Sequence, residues 1–249
     1  MLKMKKRSVY VLVAFLLVIG SASSVFGQTA FGKIWAWGSN DLKQCDVPTP
    51  NSGFIAISTA THHNLGLRPD GTITAWGWND WGQCNVPPSD LPFTAVSAGW
   101  GHSLGLKADG TVVAWGNNWY GQCNVPPSEL PFIAISAGTY HSLGLKSDGT
   151  VIAWGLNSEG QCNLPTDNSG FFAIDAGGYH NLGLKSDGTV VAWGRNVEGQ
   201  CNVPPPNSDF IAVSAGAYHS LGLKSDGTVV AWSYDPDGRS TVPTPNSDF

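Results

Sequence analysis

Two residue types recur at a spacing that invites a chemical reading. His63, His102, His141, His180 and His219 stand 39 residues apart, and so do Cys45, Cys84, Cys123, Cys162 and Cys201. A ring of imidazoles offers acid–base work near neutral pH or nitrogen ligands for a metal; a set of thiols offers disulfides or thiolate ligation. Neither set comes with a Cys-x-x-Cys or His-x-x-x-His partner, and only the adjacent pair His62 and His63 puts two imidazoles together. No Ser/His/Asp grouping or phosphate-cradling glycine loop stands apart from the repeat. Every candidate recurs from unit to unit, whereas a catalytic site needs an asymmetric grouping.

The elements that carry these residues follow from the same period. An Ala-Trp pair ends at Trp37, Trp76, Trp115, Trp154, Trp193 and Trp232, and all but the last continue into Gly. Five whole units (54–92, 93–131, 132–170, 171–209 and 210–248) follow a partial unit, 33–53, without insertion or deletion. In the fifth, Phe210–Ser214, Ser220–Lys224 and Thr228–Trp232 read as strands, large and small side chains alternating in the first. Asp226-Gly227 supplies the positive backbone angles of a type I′ hairpin turn, and Asp70-Gly71, Asp109-Gly110, Asp148-Gly149 and Asp187-Gly188 repeat it. A fourth, edge strand is expected around Gln200–Val203, stopped by Pro204 to Pro206. Four short antiparallel strands in about 40 residues, repeated, make an all-β chain, a β-propeller of four-stranded blades.

The string from Ala215 to Trp232, with Trp193-Gly-Arg-Asn-Val-Glu-Gly-Gln200 after the preceding third strand, resembles the repeat of the regulator of chromosome condensation family. The likeness runs over residues 33 to 249 and implies a propeller, normally of seven blades. Its short units are more similar to the compact bacterial members, of which the secreted beta-lactamase inhibitor protein II is an example. Five and a half units stand where seven are expected, which leaves an open or small ring, a ring completed by a second chain, or a truncated array; an open blade edge would be able to pair with another chain.

On such a scaffold the unvarying positions serve the blades. The six Trp are expected to pack between neighbouring blades, and the five His to be hydrogen-bonded structural groups. Blades of a seven-fold ring are rotated by about 51°, so equivalent Cα atoms approach within a disulfide's ~6.8 Å only at radii under about 8 Å. One Cys per unit, farther out, therefore reads as an unpaired, mostly buried thiol. Asn40, Asn79, Asn118, Asn157 and Asn196 read as turn formers that tolerate left-handed backbone and bond their own loop. No cofactor and no metal site are expected.

The 31 Gly and 12% charged residues among 249 express this recipe and exclude a helical fold. Residues 1–27 have a basic head (Lys3, Lys5, Lys6, Arg7), an apolar stretch from Tyr10 to Ile19 and a small-residue tail, the pattern of a secretory signal peptide cut before Gln28. This predicts a secreted, periplasmic or cell-surface bacterial protein, 28–249, with no membrane span after cleavage. Beyond the leader, 9 Lys and Arg face 18 Asp and Glu, about −9, which argues against nucleic acid as partner.

The positions that vary between units are free to serve a partner. At turn positions stand Trp78, Trp81, Trp100, Trp119, Tyr120, Tyr140, Tyr179, Tyr218, Arg195 and Tyr234. Rigid aromatics and Arg dominate interface hot spots, so an aromatic loop rim that binds an extracytoplasmic protein or glycan is the expected function. Tyr140, Tyr179 and Tyr218 have a second reading, as padding between blades. The rival function is an extracytoplasmic hydrolase or lyase using the ring of His or acids of the channel.

Overall fold

The computed structural model describes residues 33–233, 238, 240–244 and 246. The leader segment 1–27, Tyr234 and Phe249 lie outside them. Fifteen strands form five three-stranded antiparallel sheets, each a simple meander. The first holds β1 (Ala56–Thr59), β2 (His63–Leu67) and β3 (Ile73–Gly77); the second β4 (Phe93–Ala98), β5 (His102–Lys107) and β6 (Val112–Gly116). The third holds β7 (Phe132–Ala137), β8 (His141–Lys146) and β9 (Val151–Gly155); the fourth β10 (Phe171–Ala176), β11 (His180–Lys185) and β12 (Val190–Gly194). The fifth holds β13 (Phe210–Ala215), β14 (Ser220–Lys224) and β15 (Val229–Trp232). Each sheet packs on the next, β1 on β4, β4 on β7, β7 on β10 and β10 on β13. The arrangement is propeller-like, and no closed barrel is formed among the described residues.

The four-stranded blade is not observed. The expected edge strand is a run of turns, because its backbone donors are used inside the loop. Cys84 N–H donates to Asn79 Oδ1 (2.7 Å), Asn85 N–H to the Gly82 carbonyl (2.9 Å) and Val86 N–H to the Cys84 carbonyl (3.1 Å). Asn79 Nδ2 then clamps Asn85 Oδ1 at 2.8 Å, and the same clamp recurs at Asn118–Asn124, Asn157–Asn163 and Asn196–Asn202. Those N–H groups are thereby taken from any ladder on β3. The Asn themselves keep negative φ; the left-handed residue of the loop is Gly82 (φ 77°) and its equivalents.

The hairpins form, by a different turn. Gly71 N–H bonds the Arg68 carbonyl and Arg68 N–H the Thr72 carbonyl, while only Gly71 (φ 81°) is left-handed and Asp70 is not. This is a type I turn closed by a glycine bulge rather than type I′. Asp70 contributes through its side chain, Oδ1 accepting from Thr72 N–H and Oγ1.

The core lies between sheets. Trp115 packs on Leu65, Trp154 on Leu104, Trp193 on Leu143 and Leu145, and Trp232 on Leu182 and Leu184, each Trp reaching back to the preceding sheet. Trp37 is 67% exposed, with no preceding sheet among the described residues to receive it. Gly105 in β5 faces the ring of Phe93, where a Cβ would fall 2.6 Å from the ring. Gly66, Gly144, Gly183 and Gly222 repeat that slot.

A polar relay stitches the sheets at the His end of each second strand. His63 Nε2 lies 2.9 Å from Ser103 Oγ, Ser103 Oγ donates to the Gln83 carbonyl (2.8 Å), and Trp115 Nε1 donates to the same carbonyl (2.8 Å). His102 to Ser142, His141 to Asn181 and His180 to Ser220 repeat it at 3.0, 2.7 and 2.9 Å. Each Ser spends its proton on the carbonyl and Asn181 Oδ1 has none to give, so the imidazoles donate from Nε2. Burial pushes His63, His141 and His180 down to about 4 and His102 to about 3, so all four are neutral at pH 7.

The five thiols are free and half-buried. Sγ of Cys84 donates to the Trp78 carbonyl at 3.3 Å, and burial raises Cys84, Cys162 and Cys201 to about 11 and Cys123 to about 12.

Candidate interaction surface

Two loop sets meet at the end of the sheets where the second strands begin. The first connects the first and second strands of a sheet; the second follows its third strand. A repeated backbone bond fixes them together. Trp78 N–H donates to the His62 carbonyl, Asn117 N–H to that of Gly101, Leu156 N–H to that of Tyr140 and Arg195 N–H to that of Tyr179, all at 2.8–2.9 Å. Further bonds step between sheets, from Trp100 N–H to the Gly138 carbonyl and from Thr139 N–H to that of Gly178, both 3.4 Å. Below, Gln83 Oε1 accepts from Trp81 N–H and Gln122 Oε1 from Tyr120 N–H, holding the loop crests over buried amides. The side chains that vary between units are thereby set along one rim.

The structure brings most of them into one network. Trp78 and Trp81 have ring centroids 4.2 Å apart, Trp81 and Trp100 4.8 Å, Trp78 and Trp100 5.7 Å, and Trp81 and Trp119 5.1 Å. The chain continues from Trp100 to Tyr140 (5.1 Å), then to Tyr120 (5.1 Å) and Tyr179 (6.3 Å). Most pairs are edge-on or tilted, the arrangement ring quadrupoles prefer. Trp81 lies against Gly101, where a Cβ would fall 2.4 Å from the indole. Trp119 (68%), Tyr120 (47%) and Tyr218 (40%) are exposed; Trp78, Trp81, Trp100, Tyr140, Tyr179 and Arg195 are half-buried.

Sequence reasoning left out two parts of this rim. His62 joins the network, 5.4 Å from Trp78 and 6.4 Å from Trp100; it stands where Gly101, Tyr140, Tyr179 and Tyr218 stand in the other units, which was a usable signal. At the other end Arg195 forms a two-pronged pair with Glu198 (2.6 and 3.0 Å), approaches Glu159 at 3.8 Å and lies 5.9 Å over the Tyr218 ring. The hydrogen bond from Arg195 is the main cause that holds Glu198 down at about 2. Their i, i+3 spacing is visible in the sequence. Burial lowers His62 and raises the phenols of Tyr140 and Tyr179.

The groups assigned to the rival chemistry are placed differently. The four His of the relay lie at 0% exposure with Nε2 committed to the neighbouring sheet. Among the inner strands' Ser58, Ser97, Ser136, Asp175 and Ser214, the single acid is Asp175, bonded to Ser136 Oγ (3.0 Å) and Ala215 N–H (2.7 Å). Among the described residues no three His, Cys, Asp or Glu are grouped to hold a metal.

Comparison with known proteins adds a family likeness. The model described as Regulator of chromosome condensation (RCC1) repeat matches residues 93–122, 132–161, 173–200 and 210–239. Parts of four of the five whole units are thus similar to regulator of chromosome condensation repeats. Among solved structures, yeast RCC1 (Prp20) bound to Kap60 is 18% identical with a TM-score of 0.74, over 95% of this chain and 75% of that one. Prp20p from Saccharomyces cerevisiae, described with its binding properties to Gsp1p and histones, is 21% identical with a TM-score of 0.68, over 78% and 60%. The ectodomain of the Physcomitrella patens receptor kinase CR4 is 26% identical with a TM-score of 0.65, over 80% and 55%. The chain thus spans 60% and 55% of the last two. No curated protein matches it.

These likenesses correct three expectations. They lie with yeast and moss propellers, so the narrower resemblance to a compact bacterial, inhibitor-like type does not stand. Lean loops were its basis, and the same blade geometry occurs in those larger chains. The secreted, periplasmic or cell-surface setting falls with it, as does the restriction to an extracytoplasmic protein or glycan partner. Yeast Prp20p is described with histones and with Kap60, not with exported partners.

Proposed function

We propose that the five units 54–92 to 210–248 form a protein-binding module that captures its partner through the rim carrying Trp78, Trp81, Trp100, Trp119, Tyr120, Tyr140, Tyr179, Tyr218 and Arg195. One observation carries the reading: side chains from four successive sheets make a continuous aromatic network on loops whose backbone is fixed by hydrogen bonds. Large rigid rings on a preorganised backbone give contact area at low entropic cost. The association of Prp20p with Gsp1p, histones and Kap60 lends support at the level of fold.

The test is affinity capture from the native cell with the full chain and with a Trp119→Ala/Tyr120→Ala variant. Both side chains are exposed, so the variant's melting temperature stays within about 2 °C of the parent. A partner retained by the parent and lost by the variant is expected. An identical set of partners on both proteins overturns the reading.

A further inference from the structure

The rim carries an internal comparison that points to the chemistry of the partner. Glu159 and Glu198 are equivalent positions, 39 residues apart, and so are Leu156 and Arg195, and Gln161 and Gln200. In the later unit the set is complete: Glu198 accepts from Arg195 at 2.6 and 3.0 Å and from Gln200 Nε2 at 2.9 Å, and the guanidinium lies over Tyr218. In the earlier unit the carboxylate and the ring are present, Tyr179 replacing Tyr218, but a leucine stands where the guanidinium would originate. Gln161 is fully buried and its Nε2 has no partner. Glu159 is exposed, its one cation among the described residues being Arg195 at 3.8 Å; burial and the neighbouring phenols raise Tyr179, Arg195 lowers it, and Glu159 adds a smaller upward push.

The charge of the two ends agrees. Among the described residues on the loops of this rim within the five sheets, Asp80, Glu159 and Glu198 stand against the single cation Arg195. Arg68, Lys107, Lys146, Lys185 and Lys224 stand at or just beyond the opposite ends of the second strands, about 17 Å away along strands of five or six residues. An aromatic face edged by carboxylates attracts a cation through the ring quadrupole and direct ion pairing together.

We propose that Glu159 and Tyr179 form a subsite for a guanidinium or ammonium side chain, so that the segment held by the rim is a basic stretch of a partner protein. The bound cation takes over the place that Arg195 fills in the next unit, bridging Glu159 above Leu156 and lying on Tyr179. This rests on the reading of the rim as a protein-binding surface and adds what that surface selects.

The probes are fluorescein-labelled 12-residue peptides of one Gly/Ser/Tyr sequence carrying three Arg, three citrulline or three Glu, titrated with the full chain by fluorescence anisotropy. The Arg peptide is expected to bind at least tenfold tighter than its citrulline isostere, and to weaken several-fold between 50 and 300 mM salt. Glu159→Gln reduces its affinity at least fivefold. Leu156→Arg supplies the cation from within and abolishes binding, with the melting temperature unchanged or raised. Equal binding of Arg and citrulline peptides overturns the subsite while leaving the protein-binding rim in place. Binding of the Arg peptide that Glu159→Gln and Leu156→Arg leave intact also overturns it. Arg-selective binding lost in those variants but kept in Trp119→Ala/Tyr120→Ala upholds the subsite and tells against the wider rim.

Discussion

Replacing Asp175 by Ser, the residue found at this place in the other four units, is expected to make the protein more stable at neutral pH. Asp175 lies in β10, where burial lifts its carboxyl from 3.8 to about 6 in spite of bonds from Ala215 N–H and Ser136 Oγ. The folded state therefore holds the proton more tightly than the unfolded chain does. The contribution to stability is fully present below pH 3.8 and is lost as pH rises to about 6. At about 1.4 kcal/mol per pKa unit the loss amounts to about 3 kcal/mol above pH 6. Serine removes the ionising group and keeps an acceptor for Ala215 N–H, as Ser58, Ser97 and Ser136 do for Ala98, Ala137 and Ala176 at 2.9–3.0 Å. The bond from Ser136 Oγ is forfeited, at about 1 kcal/mol. The net gain at pH 7 is about 2 kcal/mol. At pH 3.5 the sign reverses and the variant is the weaker by about 1 kcal/mol. Urea unfolding followed by tryptophan fluorescence at half-unit steps from pH 3.5 to 7.5 reads both curves, and contributions from the hairpin aspartates cancel in their difference. Parallel curves across pH 4 to 6 would refute the reasoning, because they would mean that Asp175 is not held protonated by the fold.

Trp115→Ala, at 7% exposure, should cost about 3–5 kcal/mol in the same urea assay, while Trp119→Ala, at 68%, should change stability by less than about 0.5 kcal/mol. Gly105→Ala should cost about 1–3 kcal/mol because its Cβ meets the Phe93 ring, and Phe93→Leu in the same chain should recover part of it. Cys84, raised by burial from 9.0 to about 11, should react with iodoacetamide at pH 8 about 100-fold more slowly in the native protein than in urea; equal rates would place the thiol in water.

Much of the scaffold was legible because a repeat makes each position report several times. Five-fold recurrence of Phe, His, Asp-Gly and Trp marks three strands and a hairpin. The fourth strand was misread because its composition suits an edge, and composition does not tell whether a backbone N–H meets a neighbouring strand or the Oδ1 of an Asn five residues earlier. The turn type was missed for a related reason: Asp-Gly fits both hairpin turns, and the Arg68–Gly71 bond decides between them. The identity of the variable aromatics was visible too, since they are what remains after the shared pattern is removed.

What the sequence by itself determined is a period of 39, the three strands of each sheet and which side chains vary between units. Spacing along a strand fixes local geometry, and repetition amplifies that signal above noise. Only the tertiary structure decided that the rings of Trp78, Trp100, Tyr140 and Tyr179, contributed by four sheets, touch in one network, and that Glu159 comes within 3.8 Å of Arg195 from the next unit. Those contacts depend on how one sheet is rotated and stacked on the next, which is set by the Trp and His packing between sheets and leaves no trace in local sequence.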